Sequence, residues 1–359
     1  MYIDEHVHLR DEEQSYKETI KHVLEIAEVA GVDAVFDVVN TNNPVTTRRR
    51  VEERLELAEK ANSKVFYGLY FGITNNPKQI EECVKLYYEF FPKPGAKVGM
   101  IGGKMFAGES VGNLNLSKLE EQKMVYPVLS SNGYEGVLAT HCGRKDLMKP
   151  EIWNPKNPIT HSYARPIISK VESMKDQVEF ALSANFQGKL HFFHVSSPEE
   201  VDYISKVKKY LMPGEVTSLK VSCEATPNHL FLFNELMNEE DGILLKVNPA
   251  LRPRKIQQGL LQCLKNGEID TIGTDHAPHS EDEKKEKYFS GIPGLDLWPR
   301  VARRLKEECL SKEKISTLTF DNQVKLFGLE GIIKKSDNSG DETLDEYPNL
   351  RPKGILKWI

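Results

Sequence analysis

The chain is expected to be an α/β protein, a single TIM-type (β/α)8 barrel, and three observations predict this fold. Short runs rich in β-branched and aromatic residues alternate with longer amphipathic runs along its 359 residues, a pattern that implies parallel strands joined by crossover helices. Composition stays even throughout, so nothing marks a second domain, and barrels of this size fold as one unit. The ends of the expected strands gather histidines, a lysine and an aspartate. That suits a fold whose chemistry sits where its strands end.

Taken in order, residues 2–8 form the first strand and 14–29 the first helix, with Ile20, Val23, Leu24, Ile26 and Ala27 at helical spacing. Residues 32–39 are apolar and β-branched, hence a strand. Asn43-Pro44 breaks the chain, and a helix over 45–60 ends ahead of Ala61-Asn62. Strands at 64–71, 96–105 and 136–141 alternate with helices at 77–91 and 117–130. Residues 142–166, which carry Pro150, Pro155, Pro158 and Pro166, are expected as a loop with little structure of its own. Helix 172–185, strand 189–195, helix 198–211, strand 217–223, helix 254–266, strand 269–274 and helix 295–310 complete the series. The barrel is expected over residues 1–335, followed by a polar tail, 336–359, whose acidic stretch 336–346 is expected to be poorly ordered. No internal repeat is visible.

Composition narrows the function classes. With 39% hydrophobic and 28% charged residues, the chain is an ordinary globular protein. A formal net charge of −5 supplies no basic field for nucleic acid. No apolar run approaches the roughly 20 residues needed to span a bilayer. The five cysteines are scattered singly, which fits reduced thiols. The first residues already carry candidate chemistry, so no signal peptide is expected, and the reading is cytoplasmic.

Residues 1–10, MYIDEHVHLR, place His6 and His8 two apart, on one side of an extended segment. Imidazole is the commonest protein ligand for zinc-like ions, but two do not complete a site. Strand ends elsewhere offer the missing groups: Lys104 on the fourth, His141 on the fifth, His194 on the sixth and Asp275 on the eighth. A protonated ammonium cannot bind a cation. A neutral buried lysine can instead take up carbon dioxide, and the two oxygens of the resulting carbamate can bridge two metals.

Eight ordered segments then carry a resemblance. His6-Val7-His8-Leu9-Arg10-Asp11 resembles an HxHLRD signature, and Val39-Asn40-Thr41 with Pro44 an MPNTxP segment. Lys104-Met105-Phe106 resembles a carbamylated-lysine segment, and His194-Val195-Ser196-Ser197 an HVS motif. Residues 224–230 resemble ETxPHHL and 247–252 VNPPLR. Residues 274–279 read TDHAPH, and 291–295 read GIPGL. On these residues the chain is similar to the metal-dependent amidohydrolase superfamily and, within it, to the dihydroorotases.

The resemblance implies hydrolysis of the cyclic amide of dihydroorotate to N-carbamoyl-aspartate, in pyrimidine synthesis. It implies two zinc ions, His6, His8 and Asp275 on the more buried one, His141 and His194 on the other, and carbamylated Lys104 bridging both. Two ions roughly 3.5–4 Å apart can activate water and polarise a carbonyl. Asp275 is then also the catalytic residue that accepts a proton from the nucleophile and returns it to the departing nitrogen. Arg10 is the natural bidentate partner of a ring carboxylate. Asn40 and His279 are implied to complete that recognition, with Asn248 and the Gly291 backbone on the ring. His22 and His161 are expected on helix and loop surfaces and, with His191, His229 and His276, are assigned no metal, and residues 281–287 are expected as a solvated loop beside the site. The partner is a small molecule, and pairing into a homodimer is expected of such barrels.

Departures from the pattern bear on substrate preference. Glu12-Glu13 stands where the family has Pro-Gly, and Asn228 replaces the first histidine of its PHH pair. Little or no accessory β-sandwich domain is expected. Two rival readings remain: a dihydropyrimidinase, hydantoinase or allantoinase-like enzyme, whose substrates have no use for Arg10 or Asn40, and a non-catalytic scaffold, which would be marked by lost ligands.

Overall fold

The structure is a computed structural model and describes residues 1–38, 40–108, 114–211 and 219–359. Val39 and Thr217, each expected at the end of a strand, lie outside the described residues.

The first half of the chain alternates strand and helix regularly: β1 (Tyr2–Val7), α1 (Ile20–Val29), β2 (Val32–Asp37), α2 (Arg48–Ala61), β3 (Phe66–Gly72), α3 (Pro77–Phe90), β4 (Val98–Ala107), α4 (Leu119–Ser131) and β5 (Val137–Cys142). Local chemistry sets these limits. Thr19, Thr47 and Asn76 accept the first free amides of α1, α2 and α3. Asn62 ends α2 in the left-handed conformation. Thr19 is also why the first helix starts at Ile20 and not at residue 14. The residues before it form a 3-10 turn, Glu12–Gln14.

The second half is more elaborate. It contains α5 (Thr160–Ala164), α6 (Ile167–Ser183), β6 (Lys189–Phe192), α7 (Pro198–Tyr210), β7 (Lys220–Ala225), α8 (Pro227–Phe231), α9 (Arg254–Asn266), β8 (Thr271–Ile272), α10 (Glu281–Lys285), α11 (Trp298–Glu307), α12 (Lys312–Ser316) and α13 (Asn322–Phe327). The proline-rich loop thus contains a short helix and two 3-10 turns.

The strands form one eight-stranded parallel sheet in the order β1 to β8. A parallel bridge between Val7 and His276 closes the ring, with the His8 amide 2.7 Å from the His276 carbonyl. Inside the ring, Phe193 stacks on His6 at 3.9 Å, and Phe327 of α13 meets Phe36 edge-on at 4.9 Å. No helix among the described residues is long and apolar enough to cross a membrane, and the five cysteines are unpaired.

Two expectations are corrected. The tail is not loose: Tyr347, Ile355 and Ile359 are buried, Arg351 pairs with buried Asp296 at 2.5 Å, and the acidic stretch 336–346, though largely exposed, is tied to α1 by the Asp341 amide on the Val29 carbonyl at 3.1 Å. Its charges find specific partners on the barrel, which composition alone cannot reveal. Residues 281–287 do not form a plain solvated loop. Ser280 and Glu283 make a capping box for α10, and Glu283 and Lys284 are buried.

Candidate active site

Every residue singled out from the sequence lines one cavity of about 420 Å³ at the strand ends. Its floor holds His6, His8, Lys104, His141, His194 and Asp275. Its wall holds Arg10, Asn40, Asn248, His279 and Gly291.

His6, Lys104 and His141 belong to β1, β4 and β5, so the ladders of those strands fix them. His194 and Asp275 lie just past β6 and β8, at φ +42° and +53°. These are left-handed conformations, sparsely populated by residues other than glycine. Simple alternation along β6 would put His191 and Phe193 on the face opposite His194. The left-handed turn brings His194 into the lining of the cavity.

The floor falls into two groups. On one side the ligand atoms of His6, His8 and Asp275 converge within 4.8 Å. Asp275 Oδ1 lies 3.3 Å from His6 Nε2 and 2.9 Å from His8 Nε2. On the other side His141 Nδ1 lies 2.8 Å from His194 Nε2. Burial first, then the neighbouring cations, holds the pKa of His6, His141 and His194 well below the ordinary value. Neutral rings offer lone pairs.

Between the groups stands Lys104, fully buried. Its Nζ has no hydrogen-bond partner among the described residues and sits 3.8 Å from the centre of the Phe193 ring. Burial lowers its pKa to about 7, so much of it is a neutral amine near neutrality. An orphaned, neutral amine between clusters of lone-pair donors and a carboxylate suits a carbamate and divalent cations. The donor set therefore fits such ions.

Further residues support the floor. Glu224, at the end of β7, brings both carboxylate oxygens within 3.2 Å of His6 Nδ1, leaving Nε2 to face Asp275. Burial and the nearby Glu5 and Asp275 raise the pKa of Glu224; a cation held by the floor would oppose that shift. Lys170 of α6 donates to the His194 carbonyl at 2.7 Å and pairs with buried Glu200 at 3.0 Å. Sequence reasoning gave neither Glu224 nor Lys170 a role. Glu224 could have been found as a carboxylate at a strand end; Lys170, on a helix, carried no such signal.

The wall is held by side chains. Arg10 is buried, its Nε has no partner among the described residues, and its Nη2 reaches the Pro278 carbonyl only at 3.5 Å. Burial brings its pKa down to about 10, so it stays charged at neutral pH. Arg54 fixes the backbone beneath it by donating to the carbonyls of Leu9 and Arg10 while paired with Asp37. Lys17, Arg165 and Lys246, not foreseen, add positive charge around the cavity.

Some expected contacts are already engaged. Asn40 Oδ1 meets His8 Nδ1 at 2.6 Å, so this residue belongs to the floor as much as to the wall. His279 faces Glu283 at 3.2 Å and the Ser290 carbonyl at 3.1 Å. The Gly291 amide donates to the Lys246 carbonyl, leaving its own carbonyl, which also takes a bond from Lys284, as the group with a spare lone pair. His161 is buried, not superficial, and its Nε2 holds Asn248 Oδ1 at 3.0 Å.

Comparison with known proteins adds a separate line. No protein-family model matches the chain. It is 32% identical over 361 aligned positions to a dihydroorotase of Methanosarcina mazei, covering 98% of this chain and 75% of that protein. A dihydroorotase of Methanosphaera stadtmanae is 30% identical, with 93% and 72% covered. Among solved structures, L-hydantoinase from Arthrobacter aurescens superposes with a TM-score of 0.79 at 22% identity, covering 94% of this chain and 73% of that one. A Saccharomyces cerevisiae dihydroorotase in complex with 5-fluoroorotic acid superposes with a TM-score of 0.71 at 17% identity, covering 94% and 86%. These two likenesses speak to the fold.

Proposed function

This chain belongs to the dihydroorotase family, and on that premise we propose how its cavity carries out the reaction. The activity is the reversible hydrolysis of the cyclic amide of (S)-dihydroorotate to N-carbamoyl-L-aspartate. The observation that carries the assignment of roles is Arg10, a buried guanidinium with spare donors beside a floor of lone-pair donors. A buried guanidinium with an unsatisfied Nε and no ion-pair partner among the described residues is costly, and a substrate carboxylate would offset that cost. Hydantoin and dihydrouracil carry no such group.

In this reading His6, His8 and Asp275 would hold one divalent ion, His141 and His194 a second, and carbamylated Lys104 would serve both, with zinc as the expected metal. When bound, such ions supply Lewis-acid polarisation of the carbonyl and a water that is readily deprotonated. The protein does the rest. Arg10, with Asn40 and His279 beside it, holds the ring carboxylate; Asn248 and the Gly291 carbonyl hold the ring's polar edge. As water attacks the ring amide carbon, the Asp275 carboxylate accepts its proton. The carbon–nitrogen bond then breaks, and Asp275 returns that proton to the departing ring nitrogen. Ring closure runs the same steps backwards. We place the enzyme in the cytoplasm, in de novo pyrimidine synthesis, as a barrel of residues 1–335 with a tail at 336–359, and expect a homodimer.

The test is turnover of dihydroorotate, hydantoin and dihydrouracil by the purified protein, with metal content measured. Dihydroorotate should win by about 10- to 100-fold, the worth of a charge-assisted pair of about 1.5–3 kcal/mol. Activity should vanish on chelation and return with zinc. Preferential turnover of hydantoin or dihydrouracil would overturn the reading.

A further inference from the structure

The tail of the chain is tied to the segment that presents part of the active site. From residues 275–297 the cavity takes Asp275, Ala277, His279 and the run 288–291, which ends in Gly291. The tail takes residues just after them, Pro293 and Asp296. Arg351 Nη2 bonds the Pro293 carbonyl at 2.9 Å and Asp296 Oδ1 at 2.5 Å, and the Glu346 amide donates to the other Asp296 oxygen at 3.0 Å. The Tyr347 hydroxyl donates to Glu18 Oε2. The same Glu18 oxygen lies 3.8 Å from His276 Nε2, and the Tyr347 and His276 rings are 5.5 Å apart. All four partners are buried: Glu18, Asp296, Tyr347 and Arg351.

His276 is the junction. Its Nδ1 accepts the amides of Gly294 and Leu295, both at 3.2 Å, so its proton sits on Nε2, towards Glu18. Its backbone bonds β1, through His8 and His6. It also follows Asp275, whose left-handed backbone persists only if its surroundings over-determine it. Gly291 is similarly constrained: at φ +144°, a Cβ there would lie 2.6 Å from the Ala277 carbonyl. A segment with two such turns needs anchors on the side away from the substrate, and the tail supplies them.

We propose that Tyr347 and Arg351 are positioning residues for hydrolysis of the cyclic amide, a strap that holds Asp275 and Gly291 in register from behind. The role rests on the function proposed above.

The experiment compares the parent with Arg351→Met, Asp296→Asn, their double variant and the milder Tyr347→Phe, which leaves the ring in place. Three readouts are taken: kcat and KM for dihydroorotate, bound metal, and amide hydrogen exchange over residues 291–297. Arg351→Met and Asp296→Asn should each lower kcat/KM at least tenfold and speed exchange at Gly294 and Leu295 at least tenfold, with metal content unchanged. The double variant should fall short of the product of the two single effects, because both singles remove the shared Arg351–Asp296 pair. Tyr347→Phe should show the same change in smaller measure. Lowered thermal stability with unchanged kcat/KM and unchanged exchange would overturn the strap and leave the tail a structural brace. A parent inactive on dihydroorotate would sink the functional reading instead, and the exchange rates would still decide the strap. If Arg351→Met fails to fold, Tyr347→Phe decides by the same criteria.

Discussion

His6, Lys104 and His141 stand on strands, and His8, His194 and Asp275 at the turns just past them. Arg10, Asn40, Asn248, His279 and Gly291 stand on loops. The two groups share one cavity but are fixed by different forces. Backbone ladders and the turns just past them set the floor, so His141 meets His194 at 2.8 Å and His8 meets Asp275 at 2.9 Å. Side-chain networks hold the wall: Arg54 under Arg10, His161 against Asn248, Glu283 against His279. Damage to the floor should therefore appear in kcat and metal content, and damage to the wall in KM.

Four experiments sharpen or break that division. Asp275→Asn should lower kcat by about 10²- to 10⁴-fold, the worth of a positioned general base, with KM changed far less. A loss confined to KM would move Asp275 to the wall. For Lys104, the lowered pKa sets the sign. Its ammonium persists below about pH 7 and gives way to the neutral amine above it. Uptake of ¹³C-labelled carbon dioxide by metal-free protein should therefore grow as pH rises through about 7, and Lys104→Met should show no carbamate resonance by NMR.

On the wall, Arg10→Met should raise KM for dihydroorotate about 10- to 100-fold, with metal content intact and little change for dihydrouracil. Equal effects on both substrates would show that Arg10 does not read a carboxylate. The smallest effect tests the boundary itself. Asn40 touches His8, so Asn40→Ala should weaken metal binding by about tenfold, the low end of what losing a ligand's hydrogen-bond partner costs, read by competition with a chelator. An effect on KM alone would return Asn40 to the wall.

Much of this was legible early, for a physical reason. Strand ends in a parallel barrel face one rim, so the recurrence of His6, His8, Lys104, His141, His194 and Asp275 at those ends already implied a shared cavity. The loops were less legible. His161 was read as superficial because nothing nearby in the chain marks its contact with Val247 and Asn248, some 86 residues on. Lys170, Lys17, Arg165 and Lys246 bring charge to the site from helices and connections, where a lysine or arginine ordinarily faces water. The acidic stretch does face solvent, but the anchors of the tail, Tyr347 and Arg351, stay hidden because composition counts charges without their partners.

Taken alone, the order of residues determined the alternation of strands and helices, the rim and the chemical types gathered on it, since each follows from short-range pattern. The folded chain alone decided which nitrogen faces which neighbour, that Lys104 is buried without a partner, that left-handed turns bring in His194 and Asp275, and that Arg351 reaches Asp296. Those facts depend on burial and on contacts between residues far apart in the chain. Burial is a property of the whole packed body and is written in no local stretch of it.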